Sequence, residues 1–98
     1  MELANQCAIV TGSTKGIGLA IADALHREGV QLVVSSRNRE EISQAVEHLS
    51  ERGTAKVVGL RCDVQNREDV KSLIDFAAAE LGGVDILINN AGIGVFQT

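Results

Sequence analysis

Tyrosine, tryptophan and proline are missing from this chain of 98 residues, and phenylalanine occurs twice. The apolar content, 45% of residues, is therefore aliphatic and rich in alanine. Such a composition suits helices packed closely on a sheet. Without proline, no ring interrupts a helix or a central strand. No apolar run approaches the roughly 20 residues that cross a bilayer, so no membrane partner is expected. No basic stripe exists: net charge is −4 with both signs interspersed, and nucleic acid is not an expected partner either. Met1 to Gln6 contain neither a basic n-region nor an apolar h-region, so no signal peptide is read there. Cys7 and Cys62 lack metal-ligand spacing and fall on predicted strands. Buried reduced thiols are expected, with no metal site and a cytoplasmic setting. The length allows one domain at most, and the charge content is that of a globular protein.

What the chain does have is organised around Thr11-Gly12-Ser13-Thr14-Lys15-Gly16-Ile17-Gly18. This stretch follows the short apolar run Cys7-Ala8-Ile9-Val10 and opens a segment with helical periodicity. Strand, glycine-rich turn and helix N-terminus in that order make a phosphate site. The first N–H groups of a helix lack intrahelical partners, and the helix dipole adds positive charge there. A pyrophosphate meets both needs. Glycines let it approach the backbone and permit a tight turn. The P-loop pattern fails here, because Lys15 precedes its glycine and no Ser or Thr follows. The spacing G-x-x-x-G-x-G also departs from the common G-x-G-x-x-G.

Along the chain, a first helix is expected from about Gly16 to Glu28, with Ile17, Ala20, Ile21, Ala24 and Leu25 on one face and Gly29 as its stop. Val30 to Ser35 reads as a second strand. Asn38 with Glu41 forms a candidate capping box for a second helix, which carries Ile42, Ala45, Val46 and Leu49 and ends by Gly53. Lys56 to Cys62 is a third strand. Asn66 with Asp69 again resembles a cap, opening a third helix with Val70, Leu73, Ile74, Ala77, Ala78 and Leu81 on one stripe. Gly82-Gly83 stops it, Val84 to Asn89 is a fourth strand, and Asn90 to Thr98 reads as a loop. The order βαβαβαβ predicts an α/β fold, a doubly wound parallel sheet with right-handed crossovers and strand order 3-2-1-4.

In a dinucleotide fold, an acid near the end of the second strand binds the ribose 2′-OH. Here Ser35-Ser36-Arg37 stands in that place. Small hydroxyls and an arginine receive a 2′-phosphate that a carboxylate repels, and Lys15 lies within reach of the same group. NADPH is therefore expected over NADH, unless both cations are simply solvated surface charges. Asp63, just past the third strand, either accepts from an adenine amino group or bonds its own turn backbone. Asn89 and Asn90 carry donors and acceptors that can tie strand ends together, and Ala91-Gly92 allows close approach of a ligand.

Thr11-Gly12-x-x-x-Gly16-Ile17-Gly18, Asp63-Val64 and Asn89-Asn90-Ala91-Gly92, in this order and spacing, resemble the short-chain dehydrogenase/reductase family. The resemblance covers essentially the whole chain but only the first half of the family's Rossmann-like domain. It implies that Gly12, Gly16, Ile17 and Gly18, with Ser13, Thr14 and Lys15 of the same turn, hold the pyrophosphate region. Asp63 and Val64 would hold the adenine. Asn90, Ala91 and Gly92 would brace the sheet and pass beside the nicotinamide ribose. Ser35, Ser36 and Arg37 after the second strand, with Lys15, look like the family's NADP-preferring pattern. The family resembled transfers hydride between nicotinamide and a carbonyl or alcohol, including 3-oxoacyl thioesters, and a homo-oligomer is expected of the complete enzyme. Its tyrosine, lysine, serine and asparagine catalytic set would lie beyond this segment, so no residue here is assigned a catalytic role. A non-catalytic nucleotide-binding or dimerising module remains the alternative. A methyltransferase with the same sheet is disfavoured by the asparagine pair and the basic residues. The fourth strand is expected to leave a bare apolar edge, and the isolated chain to be marginally stable or to pair through it.

Overall fold

The computed structural model describes residues 3–90 and the backbone of 95–97. The elements are β1 (Cys7–Thr11), α1 (Gly16–Arg27), β2 (Gln31–Ser36), α2 (Arg39–Ser50), β3 (Val57–Arg61), α3 (Arg67–Leu81), β4 (Ile86–Asn89) and β5 (Val95–Gln97). The sheet order is β3-β2-β1-β4-β5. Strands β1 to β4 pair in parallel, as the alternation of strands and helices requires.

β1 is buried along its whole length because it lies inside the sheet with helices over both faces. Its residues alternate between two cores. Ala8 and Val10, with Leu32 and Val34 of β2, meet Ala22 of α1 and Ile42 and Leu49 of α2. Ile9 and Val33 face the other way, against Leu73 and Ala77 of α3. Each fully buried valine, leucine or isoleucine of this kind contributes about 1.5–3 kcal/mol. The two-and-one division of the helices follows from right-handed crossovers out of a strand order that reverses at β1.

The caps expected from the sequence are present with one change. Asn38 accepts from the Glu41 N–H at 3.0 Å, and Asn66 accepts from the N–H groups of Glu68 and Asp69. Neither box is reciprocal. The Asn38 N–H donates to Ser36 Oγ at 3.1 Å, and the Asn66 N–H to the Asp63 carbonyl at 2.9 Å. α3 ends at Gly82, whose φ of 86° is the left-handed conformation that favours glycine.

Two expectations are corrected. β4 begins at Ile86, because the Asp85 carboxylate turns to accept from the Cys7 N–H at 2.8 Å. The tail is not loop throughout: β5 pairs antiparallel with β4, matching Leu87 with Phe96, so the edge of β4 is not bare. Among the described residues no helix is long and apolar enough to cross a membrane.

Candidate dinucleotide-binding site

The register of the central strands brings Thr11, Ser35 and Asn89 to one level at the carboxyl rim of the sheet. The glycine turn crosses that rim and enters α1. Gly12 has φ 60° and Gly16 φ 59°, conformations that side chains rarely adopt. Gly18 is needed for a different reason. A Cβ there would run into the Gly12 carbonyl and come to 2.7 Å from Asn90 Nδ2. The turn is closed from the β4 side, where Asn90 Nδ2 donates to that carbonyl at 3.1 Å. Beside it, Thr11 Oγ1 donates to Asn89 Oδ1 at 2.9 Å. The asparagines thus tie strand ends as their chemistry suggested.

The head of α1 differs from those of α2 and α3. Both of the latter have an asparagine cap and two acids in the first turn. α1 has Lys15 at its N-cap position, with no side-chain cap and no first-turn acid. Its first helical hydrogen bond is from the Leu19 N–H to the Lys15 carbonyl. The N–H groups of Gly16, Ile17 and Gly18 therefore precede any i→i−4 partner, and positive dipole charge collects beside them. Ile17 is 74% exposed over the same turn. An uncapped helix head behind bare backbone is a seat for an anion.

A cleft of about 440 Å³ opens next to it, over the ends of β1, β2 and β3. Gly12, Thr14, Lys15, Arg37, Asp63 and Val64 all line it, so residues far apart in the chain meet as expected. Arg37 is exposed and makes no ion pair among the described residues. Asp63 Oδ1 accepts from the Gln65 N–H at 3.0 Å, so the turn-forming alternative holds for that oxygen while the residue still faces the cleft. Cys62 also lines the cleft. Burial pushes its thiol up, and the Asp69 and Asp63 carboxylates add to this, so it offers no thiolate nucleophile at neutral pH.

Two expected placements are revised. Ser13 is fully buried. Its hydroxyl donates to the Val10 carbonyl and accepts from the Ser35 N–H, so it joins β1 to β2 and does not face the cleft. Ser35, at the carboxyl end of β2, is also buried, and Ser36 lines the cleft with its hydroxyl bonded to the Asn38 backbone. Of the two hydroxyls expected for a 2′-phosphate, Ser36 lines the cleft and Ser35 does not. Ala91 and Gly92 lie outside the described residues. The residue that sequence reasoning missed is Glu41. It was expected to complete a cap, yet its carboxylate accepts from Thr14 Oγ1 at 3.2 Å and pairs with Lys15 Nζ at 3.9 Å.

A parallel sheet reversing at its first strand, with a bare glycine turn running into an uncapped helix, defines a Rossmann-type dinucleotide-binding unit. The chain belongs to the short-chain dehydrogenase family, whose profile matches residues 6–98. It is 45% identical over 86 residues to dehydrogenase/reductase SDR family member 4 of Caenorhabditis elegans, covering 88% of this chain and 33% of that protein. A hydroxysteroid dehydrogenase from Escherichia coli superposes with TM-score 0.88 at 38% identity, over 93% of this chain and 37% of the other. L-sorbose reductase from Gluconobacter frateurii, solved with NADPH and L-sorbose, gives TM-score 0.88 at 35% identity, over 100% of this chain and 38% of that one. The chain spans about a third of the length of these relatives.

Proposed function

We propose that this chain is the NADP(H)-holding, N-terminal part of a single short-chain dehydrogenase/reductase domain. The complete enzyme transfers hydride to or from a small carbonyl or alcohol, with ketones and 3-oxoacyl thioesters as the substrate class. The observation that carries this reading is the unsatisfied head of α1, alone among the three described helices in lacking both cap and acid. Backbone N–H groups from Gly16 to Gly18, framed by Gly12, hold the pyrophosphate. Asp63 and Val64 face the adenine, while Lys15 and Arg37 take the 2′-phosphate. Asn90 lies on the nicotinamide side. When bound, the cofactor supplies the hydride donor or acceptor. The NADPH in the sorbose reductase structure supports the same cofactor here.

The chain contains no tyrosine, so in this reading it binds the dinucleotide without turning it over. That feature also favours the second reading, a non-catalytic nucleotide-binding module of the family. Carbonyl-dependent oxidation of NADPH by the 98-residue chain would rule out both statements. The unpaired thiols Cys7 and Cys62 suit a reducing compartment such as the cytoplasm. The complete enzyme is proposed to be a homo-oligomer.

Fluorescence titration of the chain with NADPH and NADH tests the cofactor. NADPH is expected to bind roughly tenfold tighter, with two charge-assisted contacts as the source. A combined Lys15→Ala and Arg37→Ala change should erase the difference. Absence of binding by either nucleotide overturns the reading.

A further inference from the structure

We propose that Glu41 sets how strongly the cleft discriminates between the 2′-phosphorylated dinucleotide and its unphosphorylated counterpart, by occupying Lys15. The inference rests on the reading of the cleft as a dinucleotide site. Glu41 stands in the first turn of α2, and its carboxylate reaches across to the glycine turn. One oxygen takes the Thr14 hydroxyl at 3.2 Å and the other pairs with Lys15 at 3.9 Å. It is available for this because Ser36 Oγ has taken the Asn38 N–H that a reciprocal cap would have offered it. The helix keeps its Asn38 cap and Glu40.

The charge of the cleft then follows from its lining. Lys15 and Arg37 supply the cations, Glu41 and Asp63 the carboxylates, so the wall has no formal excess of positive charge. Arg61, next to Cys62 of the lining, pairs with Asp69 at 3.5 Å and donates to the Arg37 carbonyl at 3.2 Å. A 2′-phosphate therefore meets a lysine already engaged by a carboxylate. A 2′-hydroxyl carries no charge and has no need of the lysine. Lys15 and Glu41 are 81% and 37% exposed, so the pair exchanges readily with solvent and a phosphate can compete for the lysine. Arg37 is the cation that remains for the phosphate without exchange, and Glu41 limits the contribution of Lys15.

The test is a set of nucleotide titrations, followed by nicotinamide fluorescence, on the full chain. Wild type, Glu41→Gln, Lys15→Ala and the double variant are each titrated with NADPH and NADH at low and at moderate salt. Glu41→Gln is expected to tighten NADPH by roughly three- to tenfold and to leave NADH within twofold. The gain should shrink with salt, because the groups are exposed. In the Lys15→Ala background it should fall below twofold, an outcome that a merely structural Glu41 would not produce. Glu41→Ala, which also removes the Thr14 acceptor, serves as the second variant if the glutamine form unfolds. The proposal is overturned if Glu41→Gln leaves the NADPH-to-NADH ratio unchanged, or if its gain persists without Lys15. If wild type binds neither nucleotide, the dinucleotide reading itself fails and this inference with it. If wild type binds both equally and Glu41→Gln shifts the ratio, the inference stands while the NADP preference of the native chain falls.

Discussion

At the scale of single residues, Gly18 shows how little freedom the turn has. Its α-carbon lies against the Gly12 carbonyl, which is itself held by Asn90 Nδ2. The carbonyl belongs to the backbone and cannot swing clear as the end of a flexible side chain can. A methyl group must push the backbone of the turn away from the head of α1. Gly18→Ala is therefore expected to cost about 1–3 kcal/mol in urea denaturation, the usual range for overpacking. It should also weaken NADPH binding by tenfold or more, since the displaced N–H groups are the ones proposed to hold the pyrophosphate. A variant with wild-type stability and affinity would show that the close approach is not needed. The glycine spacing was legible in the sequence because each position answers to the backbone. Ser13, in the same motif, was not. Whether its hydroxyl faces the ligand or the strands depends on where the Val10 carbonyl and the Ser35 N–H lie, and no local pattern states that.

At the scale of elements, strand and helix order was readable because hydrophobic periodicity and caps agreed with each other. Asn38 and Asn66 each do what their position suggested. Glu41 was misread because the capping rule considers only one helix end, and the competing acceptor, Ser36, sits just before it. β5 escaped notice because three residues carry no period, and its pairing depends on β4. Contacts between helices were equally invisible. Asp23 of α1 receives Arg52, just past α2, through bonds of 2.6 and 3.2 Å, with Arg27 at 3.8 Å. The Arg52 hydrogen bond, with the charges of Arg52, Arg27 and His48 assisting against partial burial, holds the Asp23 carboxyl below its ordinary value. A depressed carboxyl contributes stability that is full above the unfolded value, about 3.9, and is lost as pH falls through the folded one. Asp23→Asn should therefore lower the melting midpoint at pH 7 by a few degrees. The gap should narrow as pH falls below the unfolded value, because wild type then loses the same contribution. A gap that stays constant down to acid pH would remove the ion pair as its cause.

For the whole molecule, the question is whether this portion of the sheet can stand by itself. Helices α1 and α2 cover one face together, while α3 is the one described helix on the other. The stripe expected on α3 is only partly used: Leu73 and Ala77 are buried, but Ile74 is 42% exposed and Ala78 is exposed too. β4 is half-buried along its length although its residues are apolar on both faces. Among the described residues β5 pairs with β4 at Ile86, Leu87 and Ile88. A short antiparallel ribbon is a weak guard for such an edge, since every lost N–H···O pair exposes a template for another chain. The chain is accordingly expected to melt at low temperature or to associate as its concentration rises. Replacing Phe96, the partner of Leu87, with proline removes a backbone donor from the middle of β5. If β5 shields the edge, Phe96→Pro should increase association severalfold in light scattering coupled to gel filtration. If wild type and variant are both monodisperse monomers with sharp, identical melts, then β4 needs no shield and the sheet is self-sufficient without one.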